Sequence, residues 1–298
     1  MQKAEGNMPR TYTRNFRVRY YECDPYGHVN NANYLRYATE TALEASADAG
    51  YSWEKYAALG TLWLIREARV EYLRPVLRGA TLTAKTWVED FRRVRSRRVV
   101  ELSLVDTGEL AARVSLEWVY LNAKTQQPVR IPVELMAAFF PEGAPAEAPR
   151  RDPFPEPPVP PPGAYTIQRR VRWHQLDPAG HMNSAWYLSL MEEAVLESGL
   201  AAGWNMQRSM DEGIVLFARE HRVEYLRPAL MDETFTVTTY ISHVRRATAL
   251  RHYVFRLASG EMLARAQTLW VWVDPASGRP TPIPPGFMDS FAGQIAAE

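Results

Sequence analysis

A chain of 298 residues holds one large domain or two of ordinary size, and 46% hydrophobic with 23% charged residues is the balance of a soluble globular protein. The formal net charge of +1 argues against a nucleic-acid binder, and a single cysteine, Cys23, excludes an internal disulfide, which fits a reducing cytoplasm. The polar stretch from Met1 to Asn15 lacks the apolar core of a secretory signal, and no apolar run is long enough to span a bilayer, so no membrane partner is expected.

In chain order, a first strand from about Tyr12 to Glu22 runs into the turn Asp24-Pro-Tyr-Gly-His-Val-Asn30, where Pro25 presets the backbone and removes a donor. Asn30 or Asn31 can cap the helix that follows, to about Ala49, with Gly50 as its stop. Ala38, Ala42 and Ala45 lie between Leu35, Tyr37 and Leu43, so this helix is apolar or small on most sides and should be enclosed. A short helical piece spans Trp53 to Ala58. The period then changes to two, predicting strands at about Thr61–Leu73, Thr81–Phe91, Ser96–Val105 and Ala111–Leu121. Asp106-Thr-Gly-Glu109 reads as a hairpin turn, as does Ser259-Gly-Glu261 further on. The plan is one strand, a long buried helix, then four antiparallel strands: a sheet wrapped around one helix.

The whole plan occurs twice. The turn returns as Asp177-Pro-Ala-Gly-His-Met-Asn183, 153 positions later, and the same offset carries Arg66-Glu67 to Arg219-Glu220. From Arg66 to Thr81, 11 of 16 positions are identical to their partners, including Val70-Glu-Tyr-Leu-Arg-Pro75 against Val223-Glu-Tyr-Leu-Arg-Pro228. One residue is lost near Arg97, after which Trp118 pairs with Trp270. The expected domains are residues 10–140 and 165–292, joined by a linker over 141–164. Ten of the chain's 22 prolines fall between Pro141 and Gly163, predicting an extended, semi-rigid strap between the halves or a ligand for a partner domain.

Each turn sets a carboxylate at the end of a strand, just before the free N–H groups of a helix start; a base beside a ready-made anion site is a chemical arrangement. Asp24 and Asp177 are either turn residues or bases. His28 and His181 either fix the loop or position a substrate carbonyl or the aspartate, and Asn30 and Asn183 read as helix caps.

Asp-Pro-x-Gly-His-x-Asn before a helix, with Tyr34-Leu35 or Tyr187-Leu188 inside it and Val-x-Tyr-Leu-Arg-Pro on the next strand, resembles the hotdog-fold thioesterases, in particular the 4-hydroxybenzoyl-CoA and long-chain acyl-CoA branch. The tandem form also resembles acyl-ACP thioesterases. The resemblance implies an α+β tandem (double) hotdog, with units paired side by side and the acyl thioester at their seam. It implies hydrolysis of acyl-CoA or acyl-ACP with Asp24 and Asp177 as base or nucleophile, helped by His28 and His181. Amides near Gly27 and Gly180, or further into the helix start, would polarise the carbonyl, with Asn30, Asn31, Tyr34, Asn183 and Tyr187 as binding residues. No metal and no cofactor is implied, further assembly into a homo-oligomer stays open, and the alternative is a non-catalytic acyl-thioester-binding protein on the same fold. Some relatives carry asparagine two places after the aspartate, where this chain has Tyr26 and Ala179, or histidine seven places after it, where it has Asn31 and Ser184.

Three further features need a place. Cys23 is matched by Leu176 and reads as a packing residue. Glu40 and Glu44, repeated as Glu193 and Glu197, share a helix face and call for cations, with Arg66 or Arg74 and their counterparts as candidates. Arg92-Arg93-Val-Arg95-Ser-Arg97-Arg98, echoed by Arg245, Arg246 and Arg251, is either a cradle for coenzyme A phosphates or an acidic carrier, or a charged strand edge.

Overall fold

The structure, a computed structural model, describes residues 8–143, 150–274 and 277–297; residues 1–7 of the N-terminal stretch and 144–149 of the proline-rich segment lie outside it. The chain divides into two compact units, Met1–Pro153 and Phe154–Glu298.

The first unit runs β1 (Thr11–Arg17), α1 (Asn31–Asp48), α2 (Trp53–Ala58), β2 (Thr61–Tyr72), β3 (Thr81–Phe91), β4 (Arg95–Leu104), β5 (Leu110–Asn122) and α3 (Val133–Phe139). Its strands lie in the order β1-β3-β4-β5-β2, every pair antiparallel. The second unit repeats this with β6 (Tyr165–Arg170), α4 (Ser184–Ala201), α5 (Met206–Asp211), β7 (Val215–Tyr225), β8 (Thr234–Ser242), β9 (Thr248–Leu257), β10 (Met262–Val273) and α6 (Pro285–Ser290), in the order β6-β8-β9-β10-β7. Alternation drives the sheets: Leu82, Ala84, Thr86 and Val88 on β3 are buried while Lys85 is exposed.

Several expectations are corrected. The first strand stops at Arg17, because Tyr20–Glu22 wind into a 3-10 turn; Trp173–Gln175 do the same after β6. The long helices are not enclosed on every side. A five-stranded sheet covers one face, so Leu35, Ala38, Ala42 and Ala45 are buried while Leu43 is 49% exposed, and Leu196 and Leu200 on α4 are 50% and 65% exposed. Pairing Leu82 with Leu104 and Phe235 with Leu257 keeps the 153-residue offset through β4 and β9. Val100 opposite Val114 becomes Tyr253 opposite Ala266, so the lost residue belongs to the β4–β5 hairpin rather than to Arg97, where a strand interior would not tolerate it.

Helices α3 and α6 had no clear sequence signal. Each follows a proline N-cap and brings aromatic rings to the end of its unit's core: Leu135, Phe139 and Phe140 against Tyr51, Tyr56 and Tyr120, and Phe287 and Phe291 against Trp204 and Trp272. The described part of the proline-rich segment carries no helix or strand. Its first end is tied to the first unit by Arg151, which pairs with Asp90 and reaches Glu117 Oε2 at 2.7 Å, all three side chains nearly buried. Its second end is tied to the second unit: Phe154 lies under Arg222 and Arg265, Glu156 accepts from Arg265 at 2.6 Å, and Tyr240 Oη donates to Pro158 O at 2.6 Å.

The predicted partners of the helix carboxylates are also corrected. Glu40 and Glu44 face Arg14 on β1, with Tyr12 Oη donating to Glu44 at 3.1 Å, and Glu193 and Glu197 face Arg169 on β6, because the first strand of each unit packs across its helix. Arg74 instead pairs with Glu109, and Arg227 with Glu233.

Candidate active site

The 3-10 turn delivers the chain to Asp24, whose Oδ1 accepts from the backbone N–H of Tyr26 (2.9 Å) and of His28 (3.1 Å). Gly27 has φ +78° with nothing within 4 Å of where a Cβ would lie, so it is the left-handed backbone, not crowding, that calls for glycine. His28 and Leu77 form an isolated β-bridge, and Val29 N donates to Val76 O at 2.8 Å, which fastens the turn to the segment before β3. The second unit reproduces the set: Asp177 Oδ1 accepts from Ala179 (2.9 Å) and His181 (3.2 Å), Gly180 has φ +80°, and His181 bridges Leu230.

The helix start follows at once. Asn30 is the N-cap, its side chain accepting from Ala32 N at 3.0 Å, and Asn183 caps Ala185 N at the same distance. Gly27 N donates to Asp24 O at 3.0 Å and Gly180 N to Asp177 O at 2.9 Å. The amides of Gly27 and His28, and their counterparts Gly180 and His181, are therefore committed inside the turn. Among the described residues, the N–H of Asn31, first in α1, and that of Ser184, first in α4, donate to no group. Asp24 Oδ2 and Asp177 Oδ2 likewise have no donor among the described residues. Each turn with its helix start thus carries one uncommitted carboxylate oxygen and one uncommitted helix N–H.

It is the backbone of His28, not its ring, that holds Asp24; the ring stacks on Tyr26 with centroids 6.5 Å apart. His181 Nδ1 is buried without a hydrogen-bond partner among the described residues. Tyr34 is buried edge-on against Tyr72, and Tyr187 against Tyr225, each pair just over 5 Å apart; burial raises both Tyr34 and Tyr187 phenols far above their usual range. Cys23 is half-buried, with its thiol pushed up by burial and by Asp24, in keeping with a packing role.

Sequence reasoning missed two supports. Tyr72 Oη donates to Asn31 O at 3.1 Å and Tyr225 Oη to Ser184 O at 3.0 Å, so the tyrosine of Val-Glu-Tyr-Leu-Arg-Pro holds the first helical residue; its identity in both halves was the available signal. Glu22, nearly buried, accepts from Arg19 N (2.7 Å) and Tyr37 Oη (2.8 Å), while its carbonyl accepts from Asn33 Nδ2. The second unit has Gln175 and Leu190 at those two places. Arg98 and Arg251 are buried on interior strands, so the arginine cluster is not a strand edge; Arg92 and Arg95 face Asp90 and Glu117.

The thioesterase-like superfamily model matches residues 18–139 and again 171–291. A chloroplastic acyl-[acyl-carrier-protein] hydrolase of Cuphea viscosissima is 27% identical over 194 residues, 61% of this chain and 47% of that protein, so the chain aligns to about half the length of this relative. The acyl-CoA thioester hydrolase YbgC of Escherichia coli is 27% identical over 122 residues, 41% of this chain and 91% of that protein. The 12:0-ACP thioesterase of Umbellularia californica superposes with a TM-score of 0.72 at 21% identity over 88% of this chain and 94% of that one, a likeness of fold. Two matched copies of one family model, each containing one of the aspartate turns and the helix it opens, mean that the chain belongs to the thioesterase-like superfamily as a tandem hotdog.

Proposed function

We propose that the protein hydrolyses an acyl thioester, acyl-CoA or acyl-ACP, at the aspartate turns. The observation that carries this is an uncommitted carboxylate oxygen on Asp24 and an uncommitted N–H on Asn31 at the helix start that follows the same turn, repeated at Asp177 and Ser184. A thioester carbonyl whose oxygen accepts from the helix-start N–H gains from an aimed donor and from the positive end of the helix. The aspartate takes a proton from water as the water oxygen attacks the carbonyl carbon. The tetrahedral oxyanion rests on the N–H, and its collapse breaks the C–S bond and releases the thiol, which takes the proton, and the acid. Direct attack by Asp24 through an anhydride gives the same products. Asn30 and Tyr72 act by setting the helix start, and Tyr34 packs behind it. The relatives' names, which span acyl-CoA and acyl-carrier hydrolases, support thioester substrates of this class.

Thiol release from acyl-CoAs and acyl carrier proteins is the test, with Asp24→Asn, Asp177→Asn and the double variant side by side. Each asparagine keeps a turn acceptor and loses the base. We expect the double variant to fall by about 10²-fold or more. Undiminished hydrolysis in the double variant would remove the aspartates from the chemistry; ligand binding without any hydrolysis in the unaltered protein would favour a binding protein.

A further inference from the structure

We infer that the first unit carries a phosphate-binding subsite made by Arg17, Arg19 and Arg78, and that the second unit lacks it. A cavity of about 520 Å³ opens between the end of β1 and α1, lined by these three arginines with Arg14, Glu22 and Tyr37. Arg14 is neutralised by Glu40 and Glu44. The other three are exposed, and neither Arg17 nor Arg78 has a carboxylate partner among the described residues.

Aromatic faces hold two of these groups. Arg78 lies over Tyr20 (5.6 Å) and Arg19 over Tyr21 (5.9 Å), so both guanidiniums are ordered without loss of their charge. Glu22 is the one carboxylate in the lining, 3.6 Å from Arg19, with Arg19 N and Tyr37 Oη on its oxygens. Three guanidiniums against one carboxylate leave an excess that suits a phosphate, which arginine grips bidentately.

The second unit carries a smaller excess of charge, with Arg172 left as its one arginine without a carboxylate partner among the described residues. Arg170, at the place of Arg17, is paired with Asp232, which stands where the first unit has Gly79; Met231 replaces Arg78 and Gln175 replaces Glu22. The equivalent cavity, about 420 Å³, keeps Arg170 and Arg172, while Arg169, at the place of Phe16, is paired with Glu193 and Glu197. The subsite also touches the chemistry: Arg78 N donates to Gly27 O at 3.2 Å, so the residue that holds the anion is hydrogen-bonded to the Asp24 turn. On the thioester reading above, the phosphate belongs to the thiol side of the substrate, either the nucleotide of coenzyme A or the phosphopantetheine of a carrier protein.

Binding is measured apart from turnover, by calorimetric titration of the full chain with coenzyme A, with pantetheine and with holo-acyl carrier protein. Arg17→Ala/Arg78→Ala should weaken coenzyme A, the holo-carrier or both by about tenfold or more and leave pantetheine unchanged. A loss confined to coenzyme A assigns the phosphate to a nucleotide carrier, and a loss confined to the holo-carrier assigns it to phosphopantetheine. Arg170→Ala/Arg172→Ala should leave all three ligands as they were. The inference is overturned if the first pair changes neither phosphate ligand, if the second pair causes an equal loss, or if the unaltered chain binds neither. A hydrolysis blank with arginine-dependent binding would sink the proposed reaction and leave this subsite standing.

Discussion

At Asp24 one carboxylate oxygen closes a turn and the other has no donor among the described residues, so the structural role and the proposed chemical role share one side chain. Substitution therefore has to separate them. Gly27→Ala keeps the carboxylate but asks a Cβ-bearing residue to hold φ +78°, which should cost about 1 kcal/mol and lower the melting temperature by a few degrees. Tyr72→Phe removes the bond to Asn31 O without creating a cavity; a loss of about 1 kcal/mol in urea denaturation, with a fall in kcat larger than any change in KM, is the expected outcome. Equal kcat in the phenylalanine variant would mean that the helix start needs no tether. The aspartate, glycine and cap asparagine were legible in the sequence because turn chemistry is local. Which amides stay uncommitted was not, since that depends on Asp24 Oδ1 accepting from the backbone of two residues at once.

The elements were legible where burial alternates. Strands β2 to β5 fall within a residue of their expected ends, because each has one face on the helix. The end of β1 was not, since Tyr20 and Tyr21 continue an extended-looking pattern while they are exposed and wound into a 3-10 turn. Helix α3 is too short to show a period, and its signal is only Pro132 followed by Leu135 and Phe139. Arg98 and Arg251 are the least expected parts of the sheets. Each is buried over a phenylalanine ring, Phe139 or Phe291, and donates to a threonine, with Arg251 also reaching Ser198 in the last turn of α4. Burial lowers the Arg98 guanidinium to about 10, and no carboxylate among the described residues offsets the cost. Arg98→Met should then be neutral or raise stability by about 1 kcal/mol in urea, whereas Arg98→Ala should lower it by leaving a void.

For the whole chain, acid should weaken the second unit first. Burial lowers His221 to about 3 and His252 to about 4, and both belong to that unit. An unfolded histidine titrates near 6.5, so between that pH and about 3 the unfolded chain takes up protons that the folded one refuses. Stability should fall as pH drops below about 6.5, by up to about 1.4 kcal/mol per pH unit for each histidine. Hydrogen exchange at pH 7.5 and pH 5 would show it as earlier opening of β7 and β9 than of β2 and β4; equal protection would refute it.

Because the offset between the halves stays at 153 residues from β1 through β4, the units are interchangeable cassettes along that length. Writing the sequence of Trp173–Ser184 into Tyr20–Asn31, or the reverse, needs no change of loop length and no shift of strand register. The duplication thus supplies its own exchange kit, from which chains with two first-type or two second-type turns can be assembled and their turnover compared in one scaffold.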